Sequence, residues 1–399
     1  MHVIAIYNPV CGDGTAKARL ESYFEEEVLP LCEQSSIFLS NVLSTERADH
    51  AGELALQILK QIPANEFLTI ILGSGDGTLH EIINVLSNAG LGESTRAGNV
   101  LPVHFVLVPC GSANALYSSL FPPDSSSNRS DGSSTEYRLQ SLRSFFKGPD
   151  SHLSPLTLAI TTLFPPPTAT PKAIASAVVV STCLHASILN HSERLRAQMP
   201  GIERFKVAAK QNRTRWYYGN AKLLPVASLG EIQSYDPDTK EFIHHSEEAL
   251  KGPFLYFLST INVDRLEPHF RITPLAKTSA STCDLVVIRP FSDPTMSTDS
   301  PETRETFAIK LWDTLQAVYQ DGNHINLRYD EEGRVSTEGE GPFVVEYIRC
   351  GGWEWIPDDI DDDAHLLCLD GFISTIEKGG RAVCVVATPQ PKAGFMVYV

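Results

Sequence analysis

Positive charge is scarce in this sequence. Across 399 residues, 32 Lys and Arg stand against 48 Asp and Glu, a formal net charge of −16. No nucleic-acid partner is expected, because a phosphate backbone is bound by Lys and Arg. A small anionic ligand stays open, since it needs only a local site. Paired cysteines are also missing. Cys11, Cys32, Cys110, Cys183, Cys283, Cys350, Cys368 and Cys384 are scattered, and none forms a CxxC pair. Neither zinc spacing nor a compact disulfide framework is therefore expected. Scattered thiols suit a reducing, cytosolic chain. Long apolar runs are lacking too. Nowhere do about 20 uncharged apolar residues follow one another, so no transmembrane helix is expected. The nearest approach, AIASAVVVSTCLHASIL at Ala173 to Leu189, is interrupted by Ser, Thr and His and reads as two buried strands. The opening run MHVIAIYNP reads as a strand, so no signal peptide is expected.

What is present is ordinary globular composition, 42% hydrophobic and 20% charged, with length enough for two domains. The first part alternates strand and helix. His2 to Tyr7 is a short β-rich run. Ala16, Leu20, Phe24 and Val28 then recur every four residues, one face of a helix. Ile37 to Leu43 is strand-like. Arg47 to Ile62 has helical spacing, with Leu54, Ile58 and Ile62 on one side. Phe67 to Leu72 and Val103 to Val108 are continuous apolar strands. Strands buried on both faces and separated by helices predict a doubly wound, mostly parallel sheet.

Polar, low-complexity segments lie at Pro122 to Thr135 and at Ser292 to Thr303. Beyond about Leu153 the character changes to short β-rich segments separated by Pro and Gly turns. They include Ile174–Thr182, Phe254–Ile261, Cys283–Ile288 and Ala382–Ala387, with helices around Ser192–Asn212 and Thr303–Tyr319. This pattern predicts a second, mainly antiparallel, β-sandwich-like domain. The expected division is 1–121, a linker or insertion at 122–150, and 151–399, with the C-terminal part packing back on the first domain. No internal repeat is present, and the acidic run Asp358–Asp363 reads as a solvated loop.

Three glycine-rich turns carry the chemistry: Asn8–Gly14, Gly73–Thr78 and Gly111–Asn114. Each follows an expected strand and precedes an expected helix. In a doubly wound sheet such turns gather at the carboxyl edge, where ligands bind. Glycine lets backbone approach a phosphate, and the following helix offers free amides. Neither a P-loop nor the GxGxxG spacing of a dinucleotide fingerprint is present. Within GSGDGT, Asp76 would repel nucleotide phosphates unless it holds Mg²⁺ or accepts the proton of an attacking hydroxyl. The alternative reading is a cap on a helix beginning near Thr78.

SGDGTLHEIIN resembles the nucleotide-binding signature of the diacylglycerol-kinase-type lipid kinases, in the form nearest to sphingosine kinases. NPVCGDGTA, TERADHAGEL at Thr45 to Leu54 and PCGSANAL are similar to further segments of that family. So are SERLRAQMPGIERF at Ser192 to Phe205, YYGNAKLLP at Tyr217 to Pro225, and EGEG at Glu338 to Gly341. The resemblance implies an α/β ATP-binding domain, a β-rich lipid-binding domain, and an active site in the cleft between them. It implies that Asn8, Gly12, Gly14 and Thr45 border the nucleotide. Ser74, Gly75, Gly77 and Thr78 would wrap the phosphates, with Glu81 supporting that loop and Gly111, Ser112 and Asn114 forming the third turn. Arg196 and Arg204 would reach the phosphates, a role that suits the charged fork of guanidinium. Asp76 would be catalytic or hold magnesium, and Glu340 would act near the transferred phosphate.

ATP and Mg²⁺ are the implied cofactors. The implied partners are a lipid and, transiently, a membrane surface, for a cytoplasmic protein peripheral to intracellular membranes. The residues alone keep plainer readings open. Arg196 and Arg204 read as surface helix charges, Glu340 as part of a polar turn, and Ser192 as the cap of a helix at Glu193–Arg196. The sequence also departs from the family. Asp13 is acidic, and Ala113 replaces a glycine and would be strained if positive φ were required there. Glu338 replaces an aspartate. Ser187 and Leu189 stand where sphingosine kinases carry an acidic pair for the lipid head group. Nearby Asn190 offers only a neutral hydrogen bond.

Overall fold

The computed structural model describes residues 2–12, 21–22, 24–63, 66–89, 102–123, 134–148, 152–166, 170–277, 280–387 and 394–399. The chain divides into two compact units. One comprises Met1–Leu156 with Pro389–Val399, the other Thr157–Thr388.

The first unit is built on strands β1 (His2–Tyr7), β2 (Leu39–Ser44), β3 (Leu68–Ser74), β4 (Val103–Pro109) and β5 (Leu153–Pro155), with a C-terminal strand, Phe395–Tyr398. They lie in the order β2-β1-β3-β4-C-terminal strand-β5. Every pairing is parallel except the last, which is antiparallel. Every residue of β3 and β4 is buried, which explains their largely apolar runs, interrupted within Leu68–Leu72 and Val103–Val108 only by Thr69 and His104: neither face meets water. Val3, Ala5, Ile71, Val106 and Val108 share one face with Phe24, Val28, Leu142 and Phe145. The helices among the described residues include α1 (Leu29–Gln34), α2 (His50–Gln61), α3 (Asp76–Asn88), α4 (Ala115–Leu120) and α5 (Gln140–Phe146). The spacing from Ala16 predicts one helix to Val28. Its first part lies outside the described residues, and Phe24–Val28 forms a π-type turn ahead of α1.

The second unit stacks two antiparallel sheets. Their orders run through eight and six strands. Trp353 and Trp355, two apart on the strand Gly352–Pro357 of the six-stranded sheet, are fully buried. They meet Phe257, on the strand Tyr256–Thr260 of the other sheet, with centroids 5.3 Å and 5.2 Å away. The Trp353 indole N–H also donates to Ser259 Oγ at 3.0 Å. Alternation with period two thus delivers the aromatic core of a sandwich, as the β-rich pattern predicts. Among the described residues, α-helices α6 (Cys183–Leu195), α7 (Glu203–Asn212) and α8 (Pro301–Val318) complete this unit.

Two expectations change here. The run from Ala173 to Leu189 holds two buried strands, Lys172–Ser176 and Val179–Thr182, but its remainder is the start of α6. The dense β-branched run Val178–Thr182 ends there, and burial continues on a helix face. Ser192 is consequently no helix cap. It sits late in α6 and donates from Oγ to the Leu189 carbonyl at 2.9 Å.

Asp370 anchors the sandwich. With Gly371 it forms a two-residue hairpin turn, φ 52° and 93°, where the Asp-Gly pair tolerates left-handed backbone. Its buried carboxylate accepts the amides of Ala177, Val178 and Val179 at 2.8, 2.9 and 2.8 Å. Asp370→Ala would strand three buried donors. We expect it to lower the unfolding free energy by about 3 kcal/mol or more, and Asp370→Asn by less, as read from urea unfolding.

Candidate functional site

The carboxyl ends of β1, β3 and β4 stand side by side, with Tyr7 paired to Gly73 and Ser74 to Pro109. The chain runs from β1 outward to β2 and then crosses to β3, so strand order reverses between β1 and β3. Ligands bind at such a switch point, because the loops leave in opposite directions and open a crevice.

Turn one leaves β1. The Asn8 amide donates to the Gly73 carbonyl at 3.1 Å, Asn8 Oδ1 accepts the Val10 amide at 3.1 Å, and Asn8 Nδ2 donates to Thr78 Oγ1 at 3.3 Å. Turn two leaves β3, where Ser74 Oγ and Thr78 Oγ1 share a hydrogen bond of 2.6 Å. Both hydroxyls are buried and lock the strand end to the first turn of α3. Turn three leaves β4. Asn114, at φ 54°, accepts the Gly111 amide on Oδ1 and donates from Nδ2 to the Gly111 carbonyl, each at 2.8 Å. Asn114, not Ala113, carries the left-handed conformation. The glycine-to-alanine replacement at 113 therefore brings no backbone strain.

The three turns are knitted together. A Cβ on Gly111 would lie 2.7 Å from the Gly75 Cα, so these two glycines permit direct backbone contact. Ser112 Oγ donates to the Gly12 carbonyl at 3.2 Å. At the centre, Asp76 accepts the amides of Ala115 (2.7 Å) and Leu116 (3.2 Å), the first residues of α4. The capping reading of Asp76 is thus corrected in its target. Its own helix begins at Asp76 with Gly75 as N-cap, and its carboxylate caps the helix of the next turn. Sequence spacing gave no sign of this contact, which spans 39 residues.

Around the turns, Thr45 is buried and its amide donates to the Tyr7 carbonyl at 2.9 Å. Glu81 accepts a backbone hydrogen bond from Asp49, and burial holds its carboxyl above the usual range. It thereby ties α3 to the loop after β2. Gly52 on α2 would clash with Val85 if it carried a Cβ, so the two helices meet closely. Gly14 and Asp13 lie outside the described residues.

The remaining expected site residues belong to the second unit. Arg196 is exposed and pairs with Glu193 at 2.9 Å, the surface-charge reading. Arg204 differs: it is 1% exposed and donates to the carbonyls of Pro200 and Gly201. Burial lowers its pKa. Ser187 is fully buried with its hydroxyl facing the Tyr217 phenol, while Leu189 and Asn190 are half-buried on the same helix. Glu340 is exposed in its turn, where Gly339 and Gly341 press on the Tyr329 carbonyl. Motif reading passed over Cys11 and Cys110. The available signal was that each directly precedes a glycine of a turn.

The diacylglycerol kinase catalytic domain family matches residues 2–136. Human (Homo sapiens) sphingosine kinase 2 is 32% identical over 115 residues, 29% of this chain and 15% of that protein. Sphingosine kinase 1 of Arabidopsis thaliana is 32% identical over 121 residues, 30% of this chain and 22% of that one. The aligned part of the chain thus spans less than a quarter of the length of either relative. A crystal structure of yeast NADH kinase complexed with NADH superposes with a TM-score of 0.37 at 8% identity, covering 100% of this chain and 84% of that one. The family match thus covers the three turns described above, and the proteins this chain is similar to include sphingosine kinases.

Gly77 separates packing from ligand approach. A Cβ there meets nothing within 4 Å, and its φ lies outside the left-handed region. Gly77→Ala in the first turn of α3 should stabilise the fold slightly, by up to about 1 kcal/mol. With ATP as the probe in calorimetric titration it should nonetheless weaken binding of a phosphate group, because a phosphate drawn to that helix start loses its close approach. Gly75→Ala should lower both stability and affinity.

Proposed function

We propose that the protein is an ATP-dependent lipid kinase that phosphorylates the primary hydroxyl of a sphingoid base. The observation that carries this reading is the knot of three glycine turns at the switch point with the Asp76 carboxylate at its centre. The residues present suit a nucleotide. Turn backbones free of side chains at Gly12, Gly75, Gly77 and Gly111, and the opening amides of α3, offer close contact and hydrogen-bond donors to phosphate oxygens. Asn8, Ser74, Thr78, Ser112 and Asn114 hold those backbones in position. Thr45 and Glu81 brace them from β2 and α3.

Mg²⁺ fits more narrowly. Among the described residues no group of three or more His, Cys, Asp or Glu side chains comes together. The fit is therefore to an ion carried mainly by phosphate and water and touched by one carboxylate, Asp76. Bound there, the ion would neutralise charge that develops on the transferred phosphoryl group. The Asp76 carboxylate is held among the three turns by the amides of Ala115 and Leu116. It is assigned the proton of the lipid hydroxyl as the new P–O bond forms and ADP departs. Its hydrogen bonds to α4 fix the carboxylate in direction before the lipid arrives. Arg196, Arg204 and Glu340 are assigned to the phosphates and the transferred group on their motif resemblance. Arg204 would have to exchange the carbonyls it now holds.

A second reading concerns the acceptor. Ser187 and Leu189 bring no carboxylate, Ser187 is buried beside a phenol, and Asn190 can only hydrogen-bond. These features favour a neutral head group, as in ceramide or diacylglycerol, over an ammonium. In either case the second unit takes the hydrocarbon chain of the lipid and the protein visits membranes from the cytoplasm. No helix among the described residues is long and apolar enough to cross one.

The test is a kinase assay with ATP and Mg²⁺, offering sphingosine, phytosphingosine, ceramide and diacylglycerol in parallel. Asp76→Asn is the control of choice. Asp76→Ala would also uncap α4, at about 1 kcal/mol, and so mix folding with chemistry. We expect phosphorylated sphingoid base, reduced at least about 100-fold in Asp76→Asn. Product from ceramide or diacylglycerol alone would replace the first reading with the second. ATP binding without any lipid product would remove the kinase reading.

A further inference from the structure

Two thiols occupy the knot that the kinase reading leaves unused. Cys11 lies in turn one and Cys110 at the start of turn three, and both are half-buried. Cys11 Sγ sits 3.1 Å from the Cys110 carbonyl oxygen. The same two turns touch on either side of this pair. A Cβ on Gly12, at φ 76°, would lie 3.0 Å from that carbonyl, and Ser112 Oγ reaches the Gly12 carbonyl. Cys11 is held below the usual thiol range by the neighbouring Cys110 side chain, against burial, with lesser help from its own backbone and Ser74. The Cys11 side chain and burial push Cys110 the other way. One thiol is thus set up to react and the other to resolve.

The remaining cysteines contrast with this pair. Cys283 and Cys350 face each other across two strands with sulfurs 3.5 Å apart, but both are fully buried, beyond the reach of a dissolved oxidant.

We propose that Cys11 and Cys110 form a reversible disulfide, a modification site that staples turn one to turn three and closes the nucleotide turns. The oxidant is a hydroperoxide, with hydrogen peroxide as the simplest member. The Cys11 thiolate attacks the peroxide, the O–O bond breaks, hydroxide leaves and Cys11 becomes a sulfenic acid. The Cys110 sulfur then attacks the Cys11 sulfur, the S–O bond breaks and water leaves with the Cys110 proton. Two thiols lose two electrons, and the peroxide ends as two waters. Drawing the sulfurs to bonding distance, about 2.05 Å, shifts the turn backbones that meet the phosphates. A transient bridge of this kind suits a reducing compartment. The bridge stands on the contacts between the two turns, and its effect on nucleotide rests on the function proposed above.

The test treats the full chain with hydrogen peroxide, blocks free thiols, and maps linked peptides by mass spectrometry. ATP binding is followed by calorimetry before oxidation, after it, and after dithiothreitol. We expect a Cys11–Cys110 linked peptide with the loss of two hydrogens, alkylation of Cys283 and Cys350 only after unfolding, and ATP binding that disappears on oxidation and returns on reduction. In Cys110→Ser, dimedone should trap a sulfenic acid on Cys11 and ATP binding should resist peroxide. Absence of the linked peptide in the wild-type chain, or linkage of Cys11 to another cysteine, would overturn the site. A linked protein that binds ATP as before would overturn the switch. A reduced protein that never binds ATP would count against the kinase reading while leaving the disulfide map valid.

Discussion

The hydrogen bonds from the Ala115 and Leu116 amides to the Asp76 carboxylate are the contact on which the first unit's site depends. The start of a helix has amides without intrahelical acceptors, and a carboxylate there is favoured by both hydrogen bonding and the helix dipole. Asp76 meets that need for α4 while starting α3 itself. One residue therefore fixes the relation between two turns. With that relation set, Gly75 and Gly111 must approach to contact, and any side chain on either would part them. Asn114 completes the arrangement by clamping the Gly111 backbone from both sides.

This arrangement bears on how an acidic residue can sit among turns suited to phosphate. A carboxylate held by two amides is fixed in direction and partly balanced by their dipoles. Fixed dipoles and charges in a site cost no reorganisation when charge moves, which is the general advantage of a pre-set geometry in group transfer. The buried Ser74–Thr78 pair and the Asn8 bridge act in the same sense, since each uses side-chain hydrogen bonds to hold backbone in place.

The second unit follows another logic. Its order comes from sheet alternation, with Trp353, Trp355 and Phe257 filling the space between sheets, and from one buried carboxylate, Asp370, that closes a connection by taking three amides. Asp76 and Asp370 thus do comparable work in two unlike folds. Each satisfies amides that secondary structure leaves over, and a buried amide without an acceptor is costly.

Much of this was legible in the sequence. The apolar runs of β3 and β4 marked strands buried on both faces, Cys283–Ile288 marked a strand to the residue, and the Gly, Ser and Asp pattern of Leu72 to Thr78 marked the turn from β3 into α3. Such features are local: periodicity, turn chemistry and strand burial act within a few residues. Boundaries were less legible where burial outlasts one element, as at Thr182, where strand passes directly into α6. What the sequence by itself determined was the class of each unit and the candidate turns. The tertiary structure decided which groups those turns hold. The Asp76 carboxylate went to α4, positive φ to Asn114 and not to Ala113, Arg204 to the interior, and Cys11 to the side of Cys110. These are contacts between residues distant in the chain, and only the packing of the whole unit brings them within hydrogen-bonding reach.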